Sequence, residues 1–171
     1  MNLKLIIGLG NPDKQYAATY HNIGLLFIDF LKANAHDVNL DLGAVDVLKS
    51  GVYMNESGVF VALALKKTKA KTEQLLIVHD DSDLEIGAYK FSFNRNAGGH
   101  HGVASVIKSL NSKLFWRLRI GIRPKNEKVR HKAEALVLKK IGAADQKILL
   151  QEFKIMTEKL NLKRNFDNKI N

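Results

Sequence analysis

Short apolar runs alternate with helical stripes along this chain, and the alternation predicts an α/β fold. Runs typical of buried or half-buried strands cover residues 3–9, 45–49, 75–78, 89–93 and 116–122. Between the first two runs, Ile23, Phe27 and Phe30 recur at the spacing of a helix with one buried face, over about residues 22–34. Strands alternating with helices indicate three layers, α/β/α, around a mixed, mostly parallel twisted sheet.

The segments between these elements are interpreted from their periodicity and their end signals. Residues 35–44 have weak periodicity and predict a turn region or a short strand. Residues 59–65 alternate as a strand would, but the interleaved alanines and the following Lys66-Lys67 favour a helix. The acidic run at 79–83 predicts that the third strand ends at Val78. A further helix is expected to bury Val103, Val106, Ile107 and Leu110.

The C-terminal region, from about residue 125 to residue 171, is basic and predicted to be helical. It is rich in Lys and Arg and ends in a long amphipathic pattern. The last helix is predicted to bury Leu149, Phe153, Met156 and Leu160 and to expose Lys147, Lys154, Lys159 and Lys163. No repeat, low-complexity segment or linker interrupts the chain, which predicts a single domain over residues 1–171.

The charge balance bears on the partners to be expected. The 171 residues include 27 Lys and Arg against 17 Asp and Glu, a formal net charge of +10. This excess favours RNA, DNA or an anionic membrane as a partner, although a solvated basic surface stays open at this point. The absence of cysteine excludes disulfides and thiolate metal sites and is compatible with a cytoplasmic protein. No apolar run approaches the roughly 20 residues that span a bilayer, and no signal peptide is expected.

Candidate chemistry begins at the end of the first strand. The stretch Gly8–Gly24 contains a glycine turn, Asn11, Tyr16 and then His21 at the start of a helix. Such a position at the C-terminal edge of an α/β sheet suits a functional site. Asn22 is expected to cap the helix, so that the positive end of the helix dipole keeps the His21 imidazole neutral, as a general base requires. A dinucleotide fingerprint is disfavoured, because the third glycine is missing and the helix begins late.

The residues after the third strand admit several interpretations. The side chains of metal-ligand type are those of His79, Asp80, Asp81, Asp83, His100 and His101. They form neither HExxH nor a complete calcium loop, so a metal is one possibility beside a solvated acidic loop. A third interpretation pairs an Asp with His21, because an imidazole that accepts a proton needs a partner on its other nitrogen. Asn11 and Asn55 would then supply amide groups that orient a polar substrate.

Three motifs follow one another along about residues 3–140. The first is Gly8-Leu9-Gly10-Asn11-Pro12 with Tyr16 and Thr19-x-His21-Asn22-x-Gly24, and the second is Tyr53-Met54-Asn55-x-Ser57-Gly58. The third joins His79-Asp80-Asp81-x-Asp83-Leu84 to Gly98-Gly99-His100-x-Gly102, before the strand Arg117-Leu118-Arg119-Ile120-Gly121-Ile122. In type and order, these motifs resemble those of the bacterial peptidyl-tRNA hydrolase family.

The resemblance implies hydrolysis of the ester between a peptide and the 3′ end of tRNA, by a cytoplasmic monomer that needs no metal or cofactor and no membrane. His21 would be the base that activates water, and Asp80 would orient and polarise it. The residues implied to contact the peptide end of the substrate are Asn11, Tyr16, Met54, Asn55 and His101. Those implied to bind tRNA phosphate are Arg119, with Lys90 and Arg95.

Some positions depart from the family pattern. His101 stands where the family usually has Asn, and an imidazole offers fewer hydrogen-bonding groups and more bulk than an amide. Tyr20 replaces a basic residue, and the segment 32–49 is shorter than usual. Ser92 stands where a second basic residue commonly clamps phosphate, with Lys90 and Arg95 nearby as substitutes. These departures motivate an alternative, an RNA-binding protein on the same fold with weak or no hydrolysis. A hydrolase acting on another ester or amide is a further alternative.

Overall fold

The described part of the chain folds into strands and helices in the predicted order. The computed structural model describes residues 1–34, 45–125 and 138–167, with side chains up to residue 161. The strands are β1 (Leu5–Gly8), β2 (Asp46–Lys49), β3 (Leu75–Glu85), β4 (Tyr89–Phe93) and β5 (Trp116–Arg123). The helices are α1 (Ile23–Asn34), α2 (Ser57–Thr68), α3 (His101–Leu110) and α4 (Ala143–Asp167). The predictions for residues 35–44 and for the Lys163 side chain lie outside the described parts, and the single domain over 1–171 stays a prediction.

The sheet has the strand order β2-β1-β3-β5-β4. Strands β2, β1, β3 and β5 are mutually parallel, and β4 pairs antiparallel with β5 at one edge. The predicted mixed, mostly parallel sheet is therefore confirmed. Because Gly8 at the end of β1 aligns with Val78, the next residues of β3, His79 and Asp80, extend past β1 at the carboxyl edge. The segment that follows Gly8 therefore lies beside them.

Helices cover both faces of the sheet, which confirms the three layers. On one face, alternate strand residues such as Ile6, Leu76 and Leu118 pack with α1 and α4, where the Phe27 and Phe153 rings meet edge to face at 5.3 Å. On the other face, the intervening strand residues pack with α2 and α3. This second core includes Leu5, Ile7, Ile77, Val61, Val103 and Val106. The period-two alternation along each strand divides the apolar residues between the two cores.

The prediction that the third strand ends at Val78 is wrong. Strand β3 continues to Glu85, so the acidic residues that were expected to form a loop belong to the sheet. Strand β5 is long enough to pair with them, and it supplies Arg119 to Asp81 and Arg123 to Glu85 as ion-pair partners. The acidic side chains are tolerated in the strand because these cations compensate their charge. The local sequence of β3 contains no sign of these partners.

The ambiguous segment 59–65 and the predicted C-terminal helix are both confirmed as helices. In α2, Val61, Ala64 and Leu65 are buried while Val59 and Leu63 are exposed, a division that fits a helix and not a strand. In α4, the predicted inward residues Leu149, Phe153, Met156 and Leu160 are all buried, and Lys147, Lys154 and Lys159 are exposed.

Candidate active site

His21 and Asp80 form a hydrogen-bonded pair at the carboxyl edge of the sheet. His21 lies in a 3-10 turn, Tyr20–Asn22, immediately before α1, and its Nδ1 is 3.0 Å from Oδ1 of Asp80. Both residues are buried, with 7% and 4% of their surface exposed. Among the described residues, Nε2 of His21 has no hydrogen-bond partner, and it is not sealed from solvent. One nitrogen is thus held by a carboxylate while the other is available to a substrate or a water.

Two glycines allow the backbone to place His21 this close to β3. A Cβ added to Gly24 would lie 2.5 Å from the carbonyl oxygen of Val78 and 2.6 Å from that of Leu9. A Cβ on Gly8 would lie 2.3 Å from the carbonyl oxygen of Gly24. These are main-chain atoms that cannot rotate away, so the approach of α1 to the strand ends requires glycine at both positions.

Asn22 does not cap α1, contrary to the sequence-based expectation. Its side-chain amide bonds to the main chain of Asn11 instead, accepting from the Asn11 N–H at 2.8 Å and donating to the Asn11 carbonyl at 2.9 Å. The Asn11 side-chain oxygen in turn accepts the Met54 N–H at 2.8 Å. Asn22 therefore ties the turn that contains His21 to the loop after β1, and through Asn11 to the start of α2.

A third residue, His100, completes the cluster; the sequence indicated it only as one possible metal ligand and as part of the Gly-Gly-His motif, not as a partner of Asp80. Its Nε2 lies 2.9 Å from the same Oδ1 atom of Asp80, and its Nδ1 accepts the Val103 N–H at 3.2 Å as the N-cap of α3. The accepting Nδ1 must carry a lone pair, so a neutral His100 has its proton on Nε2 and donates it to Asp80. The Gly-Gly-His motif contained this residue, but only the fold shows which atom it contacts.

The proton arrangement favours a hydrogen-bond network over a metal site. His21, Asp80 and His100 bring three potential ligand atoms within 4.8 Å of one another. A metal would need the lone pair of His100 Nε2, and the neutral ring would then have to protonate Nδ1 and lose the Val103 hydrogen bond. The observed contacts instead suit two N–H donors that converge on one carboxylate.

The network sets the pKa values of its two central groups. Burial alone would lower the pKa of His21, but the hydrogen bond and the charge of Asp80 outweigh it and raise that pKa above its ordinary value. The expectation that the helix terminus governs this pKa is not met, because the carboxylate raises it. Burial opposes ionisation of Asp80 as well, yet the positive potential and hydrogen bonds of His100 and His21 hold the pKa of this carboxyl far below its usual range.

His79 is a buried neighbour of this cluster whose pKa is shifted in the opposite direction to that of His21. Its Nδ1 donates to the Asp80 carbonyl oxygen at 2.6 Å, and its ring lies edge to face with that of His100 at 4.6 Å. Burial, followed by the neighbouring His100, lowers the pKa of His79 well below its ordinary value. Nε2 of this ring is buried and has no hydrogen-bond partner among the described residues. His79 is therefore a neutral support for the main chain at Asp80.

The predicted substrate-binding residues surround this cluster at different depths. Asn11 is buried beside it, and Asn55 and His101 are exposed at the starts of α2 and α3. Tyr16 is half-buried in the 3-10 turn Lys14–Tyr16. Met54 is buried and packs against the start of α3, where its Sδ would lie 2.3 Å from a Cβ on Gly102.

The predicted phosphate-binding residues lie together on β4 and β5. Lys90 is the cross-strand partner of Arg119, whose Nε donates to Asp81, and Arg95 follows β4 in an exposed loop. Sequence reasoning missed Arg117, which faces the same side of the sheet and is only 3% exposed. Burial, then the nearby Arg119, lowers the pKa of Arg117 to about 10. The period-two spacing of Arg117 and Arg119 was the available signal.

The C-terminal part braces the turn that contains His21. Tyr20 is buried, and its hydroxyl donates to Asp145 of α4. The Tyr20 N–H donates to the Lys139 carbonyl at 3.1 Å, and the Ile141 N–H donates to the Ala18 carbonyl at 2.9 Å. Burial and Asp145 raise the pKa of Tyr20 to about 12. Tyr20, at the position where the family usually has a basic residue, thus joins the turn to the C-terminal part of the chain.

A carboxylate-supported histidine at the edge of a three-layer α/β sheet is an arrangement that hydrolases with a general base use. The peptidyl-tRNA hydrolase family profile matches residues 5–170, and the chain belongs to this family. The peptidyl-tRNA hydrolase of Aquifex aeolicus is 37% identical over 168 residues, which cover 90% of this chain and 86% of that protein. That of Prochlorococcus marinus is 34% identical over 94% of this chain and 83% of the relative.

A solved structure agrees with the fold. The crystal structure of peptidyl-tRNA hydrolase from Acinetobacter baumannii superposes with a TM-score of 0.80 at 28% identity. The superposition covers 98% of this chain and 91% of that one. Separately, no helix in the described residues combines the length and the apolar character needed to cross a membrane.

Proposed function

We propose that this protein hydrolyses the ester bond between the peptide and the tRNA of peptidyl-tRNA, the reaction for which the relatives described above are named. The observation that supports this most is the 3.0 Å contact between His21 Nδ1 and Asp80 Oδ1, which leaves Nε2 of His21 without a partner among the described residues. An ester is an activated bond, so a positioned water and a base suffice to cleave it. Because this substrate arises in translation, we further propose a cytoplasmic enzyme, acting as a monomer.

In the proposed reaction, Nε2 of His21 takes a proton from a water whose oxygen attacks the ester carbonyl carbon. The bond between that carbon and the 3′ oxygen of the terminal ribose then breaks, and the proton returns from His21 to the leaving oxygen. Asp80 stabilises the imidazolium formed in between and keeps the Nδ1 proton in place. General base catalysis of this kind contributes about 10² to 10⁴-fold.

Asn11 and Asn55 are proposed to orient the peptide ester. The side-chain oxygen of Asn11 is occupied by the Met54 N–H at 2.8 Å, which directs the role of this amide to its NH₂ group as a donor. Asn55 and His101 are exposed on the other side of the cluster and are proposed to contact the peptide, with Tyr16 and Met54 at its margins. A donor near the carbonyl oxygen would stabilise the charge that develops there.

Arg119, Lys90 and Arg95 are proposed to bind tRNA phosphates, with Arg117 behind them. Arg117 and Arg119 are two positions apart on β5, so their side chains lie on one face about 6–7 Å apart along the strand. Asp81 is the described carboxylate in ion-pair contact with this group, through Arg119, which leaves the cluster with an excess of positive charge. Such an excess suits a polyanion and explains part of the net charge of +10.

The experiment compares wild type with His21→Ala in single-turnover hydrolysis of an N-blocked aminoacyl-tRNA. We expect the variant to lose about 10²-fold or more in rate while it keeps its circular dichroism spectrum and its affinity for tRNA. An Arg119→Ala variant should weaken tRNA binding and flatten its salt dependence. Full activity of His21→Ala would contradict the proposed chemistry. Binding of tRNA without turnover by the wild type would favour the alternative, an RNA-binding protein on this fold.

A further inference from the structure

We propose that the lysines at the far ends of α2 and α3 form a second contact for the RNA of the substrate, at the sheet edge opposite the candidate active site. These far-edge lysines are Lys66, Lys67, Lys69, Lys71, Lys108 and Lys113. The proposal rests on the proposed function, because it takes tRNA as the substrate. Nothing in the chemistry described above uses these residues.

Topology brings the far-edge lysines together. Helix α2 begins next to Asn55 at the active-site edge and runs back to the start of β3, and α3 runs in the same sense from His100 to the start of β5. The two helices pack directly on each other, with Gly58 of α2 against Ser105 of α3. Both C-terminal ends therefore point to the far edge of the sheet. The 12 residues of α2 place this end about 18 Å from the active-site edge, at about 1.5 Å per residue.

The charge at this edge is mostly positive, and Glu73 is the one acidic residue within positions 66–74. Lys66, Lys67, Lys69 and Lys71 are all exposed, and no described carboxylate forms an ion pair with any of them. Lysines in a last helical turn complement the helix dipole, which accounts for the first two. It does not account for Lys69 and Lys71, which follow the end of the helix. Four cations within six residues, at a surface without paired acids, favour a polyanionic partner.

Lys69 adds a second, independent observation. It is the C-cap of α2 and has a φ of +53°, in the left-handed region where glycine or asparagine is favoured. The equivalent position of α3 is Asn111, at +45°, which follows that preference. A lysine in this conformation is strained relative to glycine. Lys69 thus departs from the local preference, as residues at functional sites often do.

The observations favour RNA over a membrane as the partner. Val61, Ala64 and Leu65 of α2 are buried in the core, and the large apolar side chains that α2 exposes are Val59 and Leu63. Two side chains one helical turn apart are a much smaller apolar face than helices that lie in a lipid interface present. One of the far-edge lysines, Lys113, is instead linked to the proposed phosphate-binding group through Asn96. Lys113 Nζ donates to the Asn96 side chain at 3.1 Å, and Arg117 Nη2 donates to the Asn96 carbonyl at 3.0 Å. An RNA backbone bound at the phosphate-binding group would therefore meet the far-edge lysines first at Lys113.

The test uses two double variants, Lys66→Gln with Lys67→Gln, and Lys69→Gln with Lys71→Gln. The control, Lys32→Gln with Lys147→Gln, removes the same charge from exposed positions on α1 and α4, over the other sheet face. We expect the far-edge variants to bind deacylated tRNA about 5–10-fold more weakly at low salt, with a salt slope reduced by about 1 per lost phosphate contact. Hydrolysis of an N-blocked aminoacyl ester of the trinucleotide CCA should be unchanged, because it lacks the RNA body.

Several results would overturn the proposal. The first is a loss of tRNA affinity in the control variant equal to that in the far-edge variants. The second is an equal loss in the rate of hydrolysis of the CCA ester. The third is an unchanged tRNA affinity together with a loss of sedimentation on phosphatidylserine vesicles. If the wild type hydrolyses neither substrate, the proposed function fails, while the affinity for deacylated tRNA still tests the lysines.

A further variant, Lys69→Gly, separates charge from folding. We expect it to raise the melting temperature by about 2–4 °C and still to weaken tRNA binding. A rise without weaker binding would also overturn the proposal.

Discussion

His21 and His100 donate to the same oxygen atom of Asp80, over 3.0 and 2.9 Å. A single buried carboxylate thereby fixes the proton positions of two imidazoles, one from the turn before α1 and one from the start of α3. Because both donors stabilise the anion, Asp80 stays ionised although it is buried. The proposed base is thus oriented by a group that is itself held from a second side.

Asp80→Asn should separate the charge of this group from its shape. In the wild type, His21 must be deprotonated to act as the base, and its pKa is raised. A plot of kcat/KM against pH should therefore rise with a midpoint above about 6.5, the ordinary pKa of histidine. The amide removes the charge that raises this pKa, while burial continues to lower it. We expect kcat to fall about 10² to 10⁴-fold and the limb to move to lower pH. A pH profile with an unmoved limb would contradict the pairing.

His100 should act as a positioning residue. His100→Ala removes a donor to a buried carboxylate, a hydrogen bond of the kind that contributes about 1.5–3 kcal/mol, so we expect kcat/KM to fall about 10 to 100-fold. With one donor fewer, the charge of Asp80 acts more strongly on His21, and the acidic limb should move to higher pH. His100→Gln retains an N–H donor and should recover part of the loss. Identical pH profiles for His100→Ala and the wild type would exclude this role.

His79 should make stability depend on pH. Its folded-state pKa lies well below 6.5, so as the pH falls below 6.5 the unfolded chain gains a proton that the folded protein excludes. Stability should then decline by up to about 1.4 kcal/mol per pH unit between pH 6.5 and 5. His21, with a raised pKa, contributes its full stabilisation below pH 6.5 and loses it above.

The measurement is urea unfolding at several values of pH from 5 to 6.5. His79→Asn should flatten this slope, whereas the exposed His101→Asn should retain it. Equal slopes in the wild type and His79→Asn would show that His79 is not the group responsible.

Gly24→Ala should disrupt the approach of α1 to the strand ends. The added methyl would lie 2.5 Å from the Val78 carbonyl oxygen, and main-chain atoms at this crossing cannot yield. We expect a loss of about 1–3 kcal/mol in the free energy of unfolding, with reduced activity because His21 lies three residues away. Gly142→Ala, whose Cβ would meet nothing within 4 Å, serves as the control in thermal and urea unfolding. Similar losses in both variants would contradict the steric reason.

Periodicity predicted most of the architecture, because burial on a sheet or a helix face requires apolar residues at a repeat of 2 or about 3.6. The strands and the helices α2 and α4 were recognisable in this way, and their order indicated three layers. Motifs also identified His21, Asp80, Asn11 and Asn55 as residues to consider together. Ile77 and Val78 belong to a run whose continuous apolar character already indicated a strand covered on both faces.

Contacts between distant segments were decided by the tertiary structure alone. The acidic end of β3 forms a strand because β5 supplies Arg119 and Arg123 beside it, and nothing in the local sequence indicates those partners. Asn22 bonds to the Asn11 main chain instead of capping α1, since a side-chain amide satisfies whichever backbone groups the fold presents. The sequence by itself therefore determined which residues are buried and which could react. Only the packing of α1 and α3 against the edge of β3 brought His21 and His100 to one oxygen of Asp80. A hydrogen bond requires its donor and acceptor to be placed within a few tenths of an ångström, and no periodic pattern specifies positions that closely.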